Sequence, residues 1–374
     1  MGFSAHATDV CGLIVEDTIW TKTGSPYIVT CNVTVLASIT LNIEPGVEVK
    51  FNQNMALIIH GTLIASGTES DKIIFTSNGG QKLGYWHYIL FSDTSADAIF
   101  DPDGNYISGC IIQYAIVEYG GGGDSVITID KSSPFIDKSV ITNNAGSGIY
   151  ISGGSPVISS VITNNSDSGI YINSGYPTIK DSTISDNYGA WDGGGIYASS
   201  CNKGAITIQN STISGNEADF DGGGISASAS TIIIQNSTIS GNDAWFKGGI
   251  EASSSTITIE GSTISDNHSD DAVGIYAYSS TVTIENSTIS NHVAPTGSGI
   301  YADASTIIIK SSKIIQNTAS DTYGSILYLK NLKTGSVIWG RRKHWHSDPV
   351  LHKVFNYFAF QLGYGDAMRR STSA

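Results

Sequence analysis

Ser211-Thr212-Ile213-Ser214-Gly215-Asn216 is followed by Ser237-Thr238-Ile239-Ser240-Gly241-Asn242, and the phrase returns as Ser262-Thr263-Ile264-Ser265-Asp266-Asn267. Working outward, an earlier copy stands at Ser182-Thr183-Ile184-Ser185-Asp186-Asn187. Later ones are Ser287-Thr288-Ile289-Ser290-Asn291-His292 and the looser Ser312-Lys313-Ile314-Ile315-Gln316-Asn317. The central isoleucines are separated by 29, 26, 25, 25 and 25 residues. A period in that range marks a solenoid, in which no repeat can bury its apolar face without neighbours.

Each repeat carries three short β-branched pieces, as in Thr231-Ile232-Ile233-Ile234, Thr238-Ile239-Ser240 and Gly249-Ile250-Glu251-Ala252. They alternate with period 2 and are separated by Asn, Gly and Ser. Three strands and about 25 residues per turn describe an all-β, single-stranded parallel β-helix of about a dozen coils, stacked roughly 4.8 Å apart. Register then predicts three buried columns. One is Ile184, Ile213, Ile239, Ile264, Ile289 and Ile314. A second is Ile196, Ile225, Ile250, Ile275, Ile300 and Ile326, and the third runs Ile208, Ile234, Ile259, Ile284 and Ile309. At about 1.5–3 kcal/mol for each buried Ile, these columns are the expected source of stability. Three residues beyond the first column, and in two earlier coils, come Asn144, Asn165, Asn187, Asn216, Asn242, Asn267 and Asn317, with His292 as the exception. Asn tolerates a left-handed turn, and its amide can bond the same amide one coil along. The expectation is an asparagine ladder; the alternative is that Asn only serves the turns.

The pairing of Ile-Ser-x-Asn with Gly193-Gly194-Gly195-Ile196 and Gly222-Gly223-Gly224-Ile225 resembles the repeats of chlamydial polymorphic outer membrane proteins. More broadly it is similar to the right-handed parallel β-helix repeats of secreted bacterial and archaeal proteins. The likeness runs over about residues 126–329. It implies a right-handed solenoid in a secreted or surface protein. Adhesins, polysaccharide lyases, epimerases and glycoside hydrolases share this fold, so the fold does not choose among them.

The chain of 374 residues divides into an N-terminal segment or cap, 1–26, early coils at 27–125 with an irregular insertion at 79–109, regular repeats at 126–334, and an atypical segment at 335–374. A net charge of −14 and a pI near 4.8 argue against nucleic acid or anionic lipid as partner. No run of residues approaches the 18 or so apolar residues of a membrane span, and a monomer is expected. Ala5-His6-Ala7 has the small-x-small form of a signal cleavage site. Cys11 and Cys31 flank the first apparent strand, where a disulfide would pin the open N-terminal end, but structural or incidental thiols are the default reading, and no Cys-x-x-Cys spacing suggests zinc. The insertion, with Tyr85-Trp86-His87-Tyr88, is expected to lie outside the solenoid, where binding commonly resides. Segment 335–374 holds all four arginines and His344, His346 and His352, and reads as a basic tail or as a cap over the last coil.

Between the ladder Asn and the next strand, the regular repeats insert Tyr188-Gly189-Ala190-Trp191-Asp192, Glu217-Ala218-Asp219-Phe220-Asp221, Asp243-Ala244-Trp245-Phe246-Lys247 and His268-Ser269-Asp270-Asp271. Stacked coils should raise these loops as a wall of aromatics and carboxylates. Rings to stack on and acceptors for hydroxyls are what a sugar chain needs. The candidate ligand-binding residues are therefore Tyr188, Trp191, Asp192, Asp219, Phe220, Asp221, Trp245 and Phe246. The alternative is that the rings pack on one another and the acids keep the edge soluble. Asp219, Asp221, Asp243 and Asp270 form a candidate calcium set, since hard cations take clustered oxygens.

Tyr150, Tyr171, Tyr197, Tyr276 and Tyr301 should form an outward row interrupted by Ser226 and Glu251, and stacked tyrosines of this kind are expected to be structural. The Thr183/Ser185 pair and its copies make a flat hydroxyl face that resembles ice-binding solenoids, a minor alternative. No arginine precedes Arg341, which departs from the Arg or Lys base that the resemblance to β-helical polyuronate lyases implies. Two carboxylates suffice for a glycosidase, and Asp192 with Asp221 is the pair that one-coil stacking brings near. The reading is a secreted or cell-surface, non-catalytic scaffold for adhesion or binding of a polysaccharide or surface glycan. The alternative is a polysaccharide-degrading enzyme, hydrolase or lyase, built on the stacked loops.

Overall fold

The computed structural model describes residues 7–271, 273–293 and 299–318, with the backbone alone of 322–324 and 327–328. Ile326 of the second column, residues 5 and 6, and segment 335–374 lie outside the described residues. Parallel strands wind through about 12 turns, each strand bonded to its counterpart one turn before and after. No helix among the described residues is long and apolar enough to cross a membrane.

In the regular repeats the turn has three faces. The first is built by Thr183–Ser185, Thr212–Ser214, Thr238–Ser240, Thr263–Ser265 and Thr288–Ser290. The second is built by Ile196–Ser199, Ile225–Ser228, Ile250–Ser253, Ile275–Tyr278 and Ile300–Asp303. Ile206–Gln209, Thr231–Gln235, Thr256–Glu260, Thr281–Glu285 and Thr306–Lys310 build the third. Ile213 pairs with Ile239 and Ile239 with Ile264, like over like. All three predicted isoleucine columns are buried over their described length. Alternation in a strand sends every second side chain inward, so β-branched residues at those places fill the interior while Thr and Ser face out.

The corners hold the polar groups that this interior must accommodate. From Asn144 to Asn267 each ladder amide donates through Nδ2 to Oδ1 of the next, at 2.8–2.9 Å. From Asn165 onward the same Oδ1 also accepts the backbone N–H of the Asn one coil earlier. The ladder is real, but the left-handed conformation belongs to the residue before it: Asp186, Gly215, Gly241 and Asp266 have positive φ. The division of labour is physical, because the turn residue faces water while the ladder Asn points inward.

The other two corners carry serine ladders that the repeat motif contained but did not announce. Along Ser182, Ser211, Ser237, Ser262 and Ser287, each backbone N–H donates to the Oγ of the next serine in line. Cys201, Ser230, Ser255, Ser280 and Ser305 do the same at the opposite corner. Each regular turn therefore satisfies its buried corner amides through a side chain one turn away.

At the N-terminal end, Thr8–Ile14 already pairs in parallel with Tyr27–Val35, so the first rung falls inside the segment expected to be a cap. Cys11 and Cys31 are disulfide-bonded across these two rungs, while Cys110 and Cys201 are buried thiols. The stretch 79–109 departs from its expected place outside the solenoid. Ile89–Phe91 forms a rung between Leu57–Ile59 and Ile127–Ile129. Trp86 is fully buried, stacks on Phe51 at 4.1 Å and donates its indole N–H to Glu118 O. Apolar side chains at alternate positions drew this segment into the core, and what projects is the hairpin of Ile99–Phe100 with Tyr106–Ser108.

Two expectations follow. Asn242→Ala strips Asn216 of the acceptor for its N–H and amide, and leaves Ile213 O without its donor. It should lower unfolding free energy by about 3 kcal/mol or more. Thr238→Ala, on the outward face, should cost within about 0.5 kcal/mol. Urea unfolding at matched m-values reads the difference, and equal losses would remove the ladder from the account of stability. The second concerns His292, buried where the repeat has Asn, with Nδ1 facing the Asn267 N–H and Nε2 without a partner among the described residues. Burial pushes its pKa down from 6.5 to about 4. The unfolded chain then takes up a proton that the folded one refuses, so stability is lost as pH falls from 6.5 toward 4, by up to about 3 kcal/mol. His292→Asn should flatten that limb in unfolding measured from pH 7 to 4; an unchanged slope would sink the assignment.

Candidate functional site

The four loops expected to stack do so. Tyr188–Gly189, Glu217–Ala218, Asp243–Ala244 and His268–Ser269 form a separate four-stranded parallel sheet beside the solenoid. Farther out the backbone continues the ladder: Phe220 N–H donates to Trp191 O, Phe246 N–H to Phe220 O and Asp270 N–H to Trp245 O, at 2.8–3.0 Å. The loops return through glycines because nothing larger fits. A Cβ on Gly223 would sit 2.1 Å from Asp243 O, and Gly222 takes a φ of +66°.

This stacking lines up the rings. Trp191 and Phe220 lie 5.6 Å apart at 12°, Phe220 and Phe246 6.4 Å apart at 23°, and Trp245 stacks beside Phe246 at 6.0 Å. They are not covered: Trp191 is 73% exposed and Trp245 62%. A contiguous patch of large exposed rings on a hydrogen-bonded platform is the kind of surface that marks a binding site.

Behind the rings lies a second cluster. Asp192 accepts the Asp221 N–H at 3.1 Å, and Asp221 is ion-paired with Lys247, whose Nζ lies 2.9 Å from each carboxylate oxygen. The ammonium also sits 4.8 Å from the centre of the Tyr276 ring and 5.5 Å from that of Phe246, a cation–π arrangement. Glu251, on the second face, stands in register with Ser226 on one side and Tyr276 on the other and accepts the Ser226 hydroxyl at 3.1 Å. It is only 8% exposed. Burial, reinforced by Asp221 and Asp192, raises its carboxyl to about 7. Burial and then the Asp221 charge raise Asp192 as well, and burial followed by Asp192 raises the Tyr197 phenol.

The structure sorts the expected residues into three groups. Trp191, Phe220, Trp245 and Phe246 come together as one exposed patch, and Tyr188 is tied to Asp219 by its hydroxyl. Asp192 and Asp221 are neighbours, but Lys247 engages Asp221, a partner the sequence had placed in the loop without a role. The calcium set does not assemble. Asp219 is held by Tyr188, Asp221 by Lys247, and Asp243 stands in the ladder between Glu217 and His268. Among the described residues no group of three or more His, Cys, Asp or Glu is gathered for a metal ion. A stacked wall spaces its acids one per rung along a line, whereas a cation needs them converging on a point.

Glu251 was missed as a site residue. Its signal was present as an acid breaking the outward row in which Tyr150, Tyr171 and Tyr197 touch edge to face and Tyr276 stacks on Tyr301. The hydroxyl face also forms, in register and half-buried.

A family model described as right-handed beta helix region matches residues 125–204 and 194–338, more than half the chain. The chain belongs to this family. Its fold is a scaffold common to adhesins and polysaccharide-degrading enzymes. A stretch of 63 residues, 17% of the chain, is 33% identical to Protein bark beetle of Drosophila melanogaster, and covers 2% of that protein's length. No solved structure matches at a significant level.

The raised Glu251 carboxyl has a consequence for folding. The folded chain keeps a proton that the unfolded chain releases above pH 4.5, so stability should fall as pH rises from 4.5 through about 7. Glu251→Gln should remove that slope and exceed the parent at pH 8 by up to about 3 kcal/mol. Urea unfolding at pH 5 and 8 checks it, and parallel behaviour of the two proteins would refute it.

Proposed function

We propose that this chain is a scaffold for glycan binding or adhesion, acting outside the cell or at its surface, with the loop wall as its binding face. The observation that carries the reading is the exposed, near-parallel stack of Trp191, Phe220 and Phe246, with Trp245 beside it and carboxylates and Tyr188 within the same loops. A sugar ring has an apolar C–H face and a rim of hydroxyls, and aromatic faces next to oxygen acceptors match both. Binding of this kind needs no chemistry from the scaffold. The Cys11–Cys31 disulfide fits an oxidising compartment.

Trp191→Ala and Phe246→Ala should each weaken binding to whichever of soluble β-glucan, xylan and polygalacturonate the parent protein retains, by about tenfold, the equivalent of about 1.4 kcal/mol. Affinity electrophoresis with calorimetry on the retained probe measures it. Retention of none by the parent, or binding that survives both substitutions, would defeat the proposal.

A further inference from the structure

We propose that Asn236 and Asn286 are N-glycosylation sites, each carrying an oligosaccharide on Nδ2. The inference rests on the extracellular part of the reading above and is independent of what the loop wall binds.

The acceptor sequence Asn-x-Ser/Thr, with x other than Pro, occurs six times, at Asn32, Asn164, Asn210, Asn236, Asn267 and Asn286. A repeat rich in Asn, Ser and Thr writes such triplets by composition alone, so the fold has to choose among them. It removes Asn267 outright. That side chain is a buried member of the asparagine ladder and its Nδ2 donates to Ile239 O, so a sugar there cannot coexist with the stack. Three others have amides already engaged. Asn32 Oδ1 accepts the Ala56 N–H, Asn164 Nδ2 donates to Thr163 Oγ1 at 3.2 Å, and Asn210 Nδ2 to Asp181 Oδ1 at 3.3 Å. Asn236 and Asn286 are exposed, and neither side-chain amide has a hydrogen-bond partner among the described residues.

Both stand at the corner between the third and first faces, with φ of +49° and +51°. The backbone does not call for Asn there, since Asp181, Gly261 and Ser311 turn the same corner at 50°, 58° and 49°. Gly261 occupies the rung between the two sites. A Cβ on it would come within 2.6 Å of Asn236 Oδ1, so the glycine leaves the room that the Asn236 side chain uses. The two amides are two rungs apart, roughly 9–10 Å along the axis. The loop wall leaves the solenoid at the following corner, so the first face separates these sites from its rings.

The backbone sets the order of events. Asn236 N–H donates to Glu260 O, Ser237 N–H to Ser262 Oγ and Thr238 N–H to Ser211 O. These bonds tie all three acceptor residues into neighbouring rungs, so transfer takes place on the entering chain before the rungs close. In the transfer, the amide nitrogen attacks C1 of an oligosaccharide joined to a polyprenyl diphosphate. The C1–N bond forms as the C1–O bond breaks, the diphosphate departs with that electron pair, and one amide proton passes to a base of the membrane-bound transferase. The stack then closes around a side chain that it does not use.

The test secretes the full chain from insect cells behind an added leader, which carries it into the secretory lumen. Peptide N-glycosidase in heavy-oxygen water turns each modified Asn into a labelled acid for peptide mass spectrometry. Label is expected at positions 236 and 286 and not at 267. The gel shift on deglycosylation should shrink by one sugar chain in Asn236→Gln and vanish in the double variant with Asn286→Gln, while urea unfolding of the deglycosylated proteins matches the parent. Folded protein in the medium with neither site labelled overturns the proposal, and label at 267 overturns the selection by the fold; both are read on the parent chain, so neither depends on a variant folding. Fractionation of the cells that make the protein naturally separates the two readings. Protein found only inside them overturns the extracellular reading and this proposal with it, whereas external protein without sugars overturns the proposal alone.

Discussion

Everything in this molecule depends on parallel strands stacking in strict register, so that each side chain meets its own counterpart one turn away. That constraint makes an interior with polar corners tolerable. A buried amide or hydroxyl is costly unless it is bonded, and in an unrepeated fold each would need an individually placed partner. Here the partner is the same group on the next rung: asparagine to asparagine at one corner, serine to serine at the other two. The apolar columns supply the bulk of the burial, and the ladders set which residue turns each corner.

The same register governs the surface. Loops that leave the solenoid at one corner must lie on one another, and the backbone bonds from Phe220 to Trp191 and from Phe246 to Phe220 hold their rings in a line. A line serves an extended ligand and does not serve a point charge, which is why the four aspartates of the wall fail to make a cation site. Function is then to be sought where the repeat is broken. His292 interrupts the asparagine ladder, and Ser226 with Glu251 interrupts the tyrosine row. Both breaks place a titratable side chain in a buried position.

Much of the fold could be read from spacing. The 25-residue period located the isoleucine columns, the asparagine ladder and the tyrosine row, because a repeat states its own contacts: residues one period apart touch. The reading erred where the period faded. Trp86 lies among Gly and polar residues with no repeated neighbour, and nothing local showed that it stacks on Phe51, 35 positions earlier. It also assigned the left-handed turn to the ladder Asn, since sequence shows that a residue can adopt a conformation but not which of two adjacent residues does. The serine ladders went unnoticed for a related reason, as Ser at a corner looks the same whether it faces water or the core.

By itself the sequence determined the solenoid, its three faces and the order in which side chains stack, because those follow from one period and the alternation of a strand. Only the tertiary structure decided what the loops do with that order. It set Lys247 against Asp221, sank Glu251 beneath the wall and left Trp191 and Trp245 in the open. Distances across a loop depend on how far the chain strays from the stack, and no repeat length encodes that.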